Sequence, residues 1–375
     1  MKIDHVHFYV EDAEVWRDWF VQQLGFQAVA VKNSNCTCTE VVQNGPVYFV
    51  LSSPLTSLSP VADFLKQHPP GVADVALIVE NLQAVMTRAV AYGARVLKPV
   101  QQHQTTKGYL KSSKIAAWGS LSHTLIEAGE QGGTSRCAPL GAAEIRQQQE
   151  SSIILSSFPP APLLRNSSPA SPTFTGIDHI VLNVASSELE NAVDWYQNIL
   201  GFHAKQTFKI QTDRSALHSQ VMVSHNKLVQ LAINQPTSPN SQIQEFLDTN
   251  RGPGIQHIAL RVPNIVQVIK NFRKIGVSFL SVPPIYYTQL LHRQGFPLSS
   301  SELEEIAQQQ ILIDWEETSP QSVLLQTFTQ PIFEQPTFFF ELIERRFQAQ
   351  GFGEGNFRAL FEAIEREQIK RRSLQ

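Results

Sequence analysis

From Ile3 the chain reads IDHVHFYVEDAEVWRDWFVQQLGF, and from Ile177 it reads IDHIVLNVASSELENAVDWYQNILGF. Each stretch begins with the apolar run of a strand and passes into helical spacing. In the second stretch, Ser187 and Glu190 stand at capping-box spacing ahead of a Leu189, Val193, Tyr196 stripe, which predicts a helix start there. Asp4-His5 matches Asp178-His179, Trp19-Phe20 matches Trp195-Tyr196, and Leu24-Gly25-Phe26 matches Leu200-Gly201-Phe202. The offset is 178 − 4 = 174 residues at the start and 195 − 19 = 176 later, so the second copy carries a two-residue insertion.

A second pair repeats the pattern. PPGVADVALIVENL (Pro69 to Leu82) aligns with GPGIQHIALRVPNI (Gly252 to Ile265), again a strand followed by a helix start. Further strand-like runs follow, including VYFVL (Val47 to Leu51), KLVQLAI (Lys227 to Ile233) and SVLLQTF (Ser322 to Phe328). Internal repetition of this kind decides the fold class. We expect an α+β chain of two tandem halves, each made of two βαβββ modules. Residues 131–173, rich in Ser, Pro, Gln and Gly, read as a surface linker between domains 1–130 and 174–375.

The chain has 375 residues, 42% of them hydrophobic and 17% charged, with a net charge of −3. That balance suits a globular protein and lacks the basic excess of a nucleic-acid binder. The one dense basic run, Lys370-Arg371-Arg372, reads as a solvated helix end. MKIDHVHFYV has charges where a signal peptide needs an apolar core, and runs such as Val75–Val79 and Ile311–Ile313 are too short to span a bilayer. The expectation is a cytoplasmic protein with no membrane partner. Cys36, Cys38 and Cys137 are too few for a disulfide framework, and Cys36-Thr-Cys38 lacks the neighbours of a closed metal site.

Polar residues inside apolar strands carry the chemistry. His179 sits among Ile177, Ile180 and Val181. His257 sits among Ile255, Ile258 and Leu260, and Glu341 follows Phe338-Phe339-Phe340. A carboxylate in such a run is expensive to bury unless it is paired or binds a metal. Two imidazoles and one carboxylate make the facial triad of non-haem iron(II) oxygenases. Both histidines fall in the first strand of a module, so equivalent folding brings them to equivalent points of one sheet. In the first half the corresponding residues are His5, Asp74 and, if HTLIE (His123 to Glu127) matches TFFFE (Thr337 to Glu341), Glu127. Asp74 breaks the two-histidine pattern there.

Three stretches carry a family resemblance: SQIQEFLDTNRGPGIQHIAL (Ser241 to Leu260), LLQTFTQPIFEQPTFFFELIERR (Leu324 to Arg346) and GFGEGNFRALFEAIE (Gly351 to Glu365). The chain resembles the 4-hydroxyphenylpyruvate dioxygenases of the vicinal-oxygen-chelate superfamily, most strongly from Gly176 to Arg366. The resemblance implies an open barrel around Fe(II) in the C-terminal half, with His179, His257 and Glu341 as ligands. It implies that Gln242, Gln256 and Gln326 surround the substrate, with Ser219 and Asn234 as further polar groups. Phe328, Phe352 and Phe357 would pack around the substrate ring, and a C-terminal helix beginning at Phe357 would close the site. The implied reaction converts 4-hydroxyphenylpyruvate and dioxygen to homogentisate and carbon dioxide, in tyrosine catabolism and quinone precursor supply. The substrate brings its own 2-oxo acid, so no second oxo acid is needed. A homodimer or homotetramer is implied as well. LAINQP (Leu231 to Pro236) departs from most relatives, which have proline in place of Ala232 and an acidic residue in place of Gln235. Three alternatives stand beside this reading: a hydroxymandelate synthase, a ring-cleaving extradiol dioxygenase, and an inert binding protein of the same fold.

Overall fold

A computed structural model of the chain describes residues 1–105, 108–130, 172–211 and 216–373. The first half forms strands β1 (Lys2–Tyr9), β2 (Gln27–Asn33), β3 (Thr37–Asn44), β4 (Val47–Pro54), β5 (Gly71–Ile78), β6 (Val96–Thr105), β7 (Gly108–Ala116) and β8 (Ser122–Glu130). The second forms β9 (Gly176–Asn183), β10 (His203–Gln211), β11 (Ala216–Val223), β12 (Gln230–Pro236), β13 (Gly254–Arg261), β14 (Leu312–Glu316), β15 (Ser319–Phe328) and β16 (Phe339–Arg345). The helices are α1 (Ala13–Leu24), α2 (Pro60–Gln67), α3 (Leu82–Ala91), α4 (Leu189–Leu200), α5 (Gln242–Asn250), α6 (Ile265–Lys274), α7 (Pro284–Leu290), α8 (Ser300–Gln308) and α9 (Phe357–Ser373).

This is the expected set of four βαβββ modules. The two eight-stranded sheets run β2-β3-β4-β1-β5-β8-β7-β6 and β10-β11-β12-β9-β13-β16-β15-β14, one order written twice. In each sheet the two modules meet where their first strands pair antiparallel, β1 with β5 and β9 with β13. The fourth module carries α7 and α8 as an insertion before β14. The expected linker lies outside the described residues except for Pro172 and Thr173.

The repeated Leu-Gly-Phe marks the same event in both halves. Gly25 (φ 68°) and Gly201 (φ 72°) end α1 and α4 in the left-handed region, where a residue without Cβ is strain-free. The predicted capping box at α4 does not form. Ser187 has φ 68°, and Glu188, the residue flanking the helix, makes no side-chain cap. The Glu188 carboxylate instead accepts from Ala185 N and Trp118 Nε1, and Leu189 N donates to Gln235 Oε1 at 3.2 Å. A tertiary contact from β12 replaces the local cap.

One continuous core joins the halves. Phe8, Phe20 and Phe49 of the first half meet Phe338 and Phe340 of the second, with Phe8–Phe338 centroids 5.2 Å apart and Phe49–Phe340 5.7 Å apart. All five rings are essentially fully buried, each contributing roughly 1.5–3 kcal/mol of transfer free energy. The strand period of two then explains the FFFE run. Phe340 and Leu342 face this seam, while Phe339 and Glu341 point to the opposite, concave face of the second sheet.

A candidate metal centre in the C-terminal sheet

Register brings the three expected ligands together. β9, β13 and β16 are neighbours, and Ala259 on β13 pairs with His179 on one side and Glu341 on the other. His257 lies two residues back along β13, on the same face. The methyl group of Ala259 is all that occupies the middle of this row. His179 Nε2 stands 3.1 Å from Glu341 Oε2, and His257 Nε2 stands 3.6 Å from it. The three ligand atoms lie within 4.8 Å of one another, and all three residues are buried.

Two β-bulges orient the histidines. On β9, Asp178 is the extra residue between Ile177 and His179; on β13, Gln256 is the extra residue between Ile255 and His257. A bulge breaks the in–out alternation, so consecutive side chains can reach the same site. Asp178 Oδ1 lies 3.0 Å from His179 Nδ1, and Gln256 Oε1 lies 3.3 Å from His257 Nδ1. Both oxygens only accept, so Nδ1 carries the proton on each ring and Nε2 is left as a donor to a cation.

Electrostatics agree with that assignment. Burial works against a charge on His179, but the Glu341 and Asp178 carboxylates outweigh it and push the pKa up to about 9. Burial, reinforced by the charge on His179, holds His257 well below the ordinary range. Burial would raise the Asp178 carboxyl, yet Arg345 and His179 hold it well below the usual value. A single proton thus bridges His179 and Glu341 in the metal-free protein. Two neutral nitrogens and one buried carboxylate are the donor set a divalent first-row cation takes, and the cation would replace that proton.

Beside the triad lies a partly open cavity. Every expected pocket residue lines it: Gln242, Gln256, Gln326, Asn234, Ser219, Phe328, Phe352 and Phe357. Gln242 opens α5, whose first turn is capped by Ser241, and its Oε1 is buried with no partner among the described residues. Ser219 and Asn234 are cross-strand partners on β11 and β12. Gln326 Nε2 donates to Glu341 Oε1 at 3.4 Å, and its Oε1 accepts from Asn356 Nδ2 at 3.2 Å. The Phe352 ring meets His179 edge-on at 4.9 Å. From α9, Phe357 and Ile364 complete the wall, and Ala232 lines it too.

Sequence reasoning missed several members. Phe339 stacks on His257 at 4.8 Å, and its alternation with Glu341 was the available signal. Phe208 faces Phe357 at 4.8 Å from the edge strand β10, and nothing in its own neighbourhood marks it. Asp178 was visible as the residue preceding His179 in a repeated Asp-His pair.

The first half holds no such centre among its described residues. His5 and Asp74 occupy the positions of His179 and His257. Glu127 does not occupy that of Glu341. Asp74 pairs with Ser122 as His257 pairs with Phe339, which puts Thr124 opposite Glu341 and Glu127 opposite Glu344. The helix ends agree, because Glu127 accepts from Leu82 N and Glu344 from Ile265 N, each at 2.7 Å. Asp74 is taken up by Lys114 at 3.3 Å and Ser122 at 2.8 Å. Glu14, Cys38 and Glu40 also cluster, but Arg17 pairs with Glu40 at 3.0 Å. Cys36 and Cys38 are free thiols, and Cys137 lies outside the described residues.

Known proteins share this architecture. The model of the Glyoxalase/Bleomycin resistance protein/Dioxygenase superfamily matches residues 176–293, and a second model of that superfamily matches residues 4–109. The 4-hydroxyphenylpyruvate dioxygenase of Coccidioides posadasii is 37% identical, covering 99% of this chain and 94% of its own. That of Yarrowia lipolytica is also 37% identical, covering 99% and 93%. A solved structure of a 4-hydroxymandelate synthase triple mutant from Streptomyces coelicolor superposes with a TM-score of 0.82, at 24% identity over 98% of each chain, and so shares the fold. The chain therefore is an enzyme of the 4-hydroxyphenylpyruvate dioxygenase family, within the glyoxalase and dioxygenase superfamily whose two domains it repeats.

Proposed function

We propose that the chain is an iron(II)-dependent dioxygenase that turns 4-hydroxyphenylpyruvate and dioxygen into homogentisate and carbon dioxide. The observation that carries this reading is the convergence of His179, His257 and Glu341 at the wall of a cavity whose other lining is apolar side chains, five phenylalanines among them, and uncharged polar groups. In this reading those three residues would hold the iron, which would supply the redox chemistry that a 2-oxo acid and dioxygen need.

The protein's own part is positioning and exclusion. Phe328, Phe339, Phe352 and Phe357 offer apolar faces that hold an aromatic ring and keep bulk water from the reacting end. Gln242 Oε1, buried without a donor among the described residues, suits the phenolic O–H of the substrate. Gln326 ties Glu341 to Asn356 at the foot of α9, so ligand and closing helix share one amide. Neutral amides rather than charges suit a substrate whose one carboxylate is destined for the metal.

We take residues 1–130 and 174–375 as the two domains, with catalysis in the second. No described helix is long and apolar enough to cross a membrane, and we assign the enzyme to the cytoplasm as a homo-oligomer. Anaerobic loading with iron(II), then measurement of 4-hydroxyphenylpyruvate-dependent oxygen uptake and chromatography of the product, tests the reading. Homogentisate supports it. A hydroxymandelate product, uptake on catechols instead, or no uptake refutes it.

A further inference from the structure

The chain writes Asp-His twice, and both copies are bulged. In the first half, Asp4 is the extra residue between Ile3 and His5, and its Oδ2 lies 2.7 Å from His5 Nδ1. In the second, Asp178 stands in the same relation to His179. What differs is the two neighbouring positions. Arg345 grips Asp178 with both branches, Nη2 to Oδ1 at 2.7 Å and Nε to Oδ2 at 2.8 Å. Arg261 adds Nη2 at 2.7 Å and Nε at 3.1 Å to Oδ2. Arg261 pairs next to Ile343 as Ile78 pairs next to Ile126, so the equivalents of Arg261 and Arg345 in the first half are Ile78 and Ala128.

The same fold is thus built once with apolar residues at these two positions. A buried ion pair rarely stabilises more than the apolar residues that could replace it. The arginines therefore call for a reason beyond stability, and the group they hold is the partner of a candidate ligand. Arg345 reaches the site a second way: its Nη1 donates to Ala349 O at 3.0 Å, holding the turn that leads to Phe352, whose ring lies against His179.

We infer that Arg345, assisted by Arg261, is a positioning residue of the metal centre: through Asp178 it fixes the ring angle and tautomer that present His179 Nε2 to the cation. This rests on the metal reading above. Groups that orient a ligand from behind typically contribute 10–100-fold in metal affinity, which sets the scale of the effect.

The test uses the full chain, stripped of metal and titrated with cobalt(II) against a competing chelator. Cobalt ligand-field absorption and thermal melting are recorded in parallel. Arg345→Gln should weaken cobalt binding by about 10–100-fold and shift the absorption bands. Arg345→Lys, which keeps the charge without the fork, should recover only part of the loss. Should Arg345→Gln not fold, Arg261→Gln decides the matter: its side chain is 46% exposed, and its loss should weaken binding by at least about threefold. Asp4→Asn should alter melting and leave cobalt affinity unchanged. Wild-type affinity and an unshifted spectrum in folded Arg261→Gln or Arg345→Gln overturn the inference alone. A wild-type chain that takes up no cobalt overturns the metal reading and this inference with it.

Discussion

Gly353→Ala isolates the link between the C-terminal helix and the candidate metal site. Gly353 has φ 76° and ψ 49°, left-handed geometry that costs an alanine roughly 1 kcal/mol. A Cβ placed there would stand 1.7 Å from Gln326 Oε1, 2.7 Å from its Cδ and 3.0 Å from Leu324 Cδ2. Gln326 is the end of a side chain, but it is buried and bonded at both ends, so it can yield only by dropping Asn356 and Glu341. Each bond lost costs about 1 kcal/mol, more where a buried group is left unpaired. The total destabilisation should be about 3 kcal/mol, read as a shift of the urea midpoint at unchanged slope. Because the displaced amide moves into the cavity, kcat/KM should fall by at least about tenfold even at temperatures where the variant is folded, a loss of about 1.4 kcal/mol in transition-state binding. A variant within about 0.5 kcal/mol of wild type and fully active would show that Gln326 is not held as described.

Four further outcomes follow from the same geometry. His257→Ala or Glu341→Ala should abolish iron(II) uptake and turnover while leaving the circular dichroism of the fold intact; a fully active His257→Ala enzyme contradicts the ligand assignment. Ala259→Leu drives extra carbons between His179 and Glu341 in a fully buried slot, costing about 1–3 kcal/mol, and should abolish metal uptake by chelator competition. In the metal-free protein His179 titrates near 9 rather than 6.5, so its contribution is complete below about pH 6.5 and is lost as pH rises through 9, on the order of 3 kcal/mol. Its melting temperature should fall across that range, whereas the metal-loaded protein, with the ring already neutral, should not show this loss; a flat metal-free profile rules the coupling out. Lys114→Met leaves the buried Asp74 carboxylate without its cation, so thermal or urea unfolding should register about 3 kcal/mol of destabilisation, with metal affinity unaltered.

The sequence by itself determined the modules and singled out the three residues that the sheet brings together. Duplicated strand–helix starts gave the fold because each βαβββ unit cannot bury its apolar face alone, so its period is written into the hydrophobic pattern. His179, His257 and Glu341 were legible because an ionisable group inside an apolar strand has few explanations. Pairing was not legible, because register is fixed by contacts between distant strands. Matching HTLIE to TFFFE set Glu127 opposite Glu341, whereas the sheet sets it opposite Glu344, capping a helix. The Ser187 box failed for a similar reason: a local signal lost to Gln235, contributed from across the sheet. The bulges at Asp178 and Gln256, the arginines converging from β13 and β16 on one carboxylate, and the arrival of Phe208 from an edge strand all belong to the tertiary structure. Each depends on backbone offsets and distances between segments that no single stretch of sequence encodes.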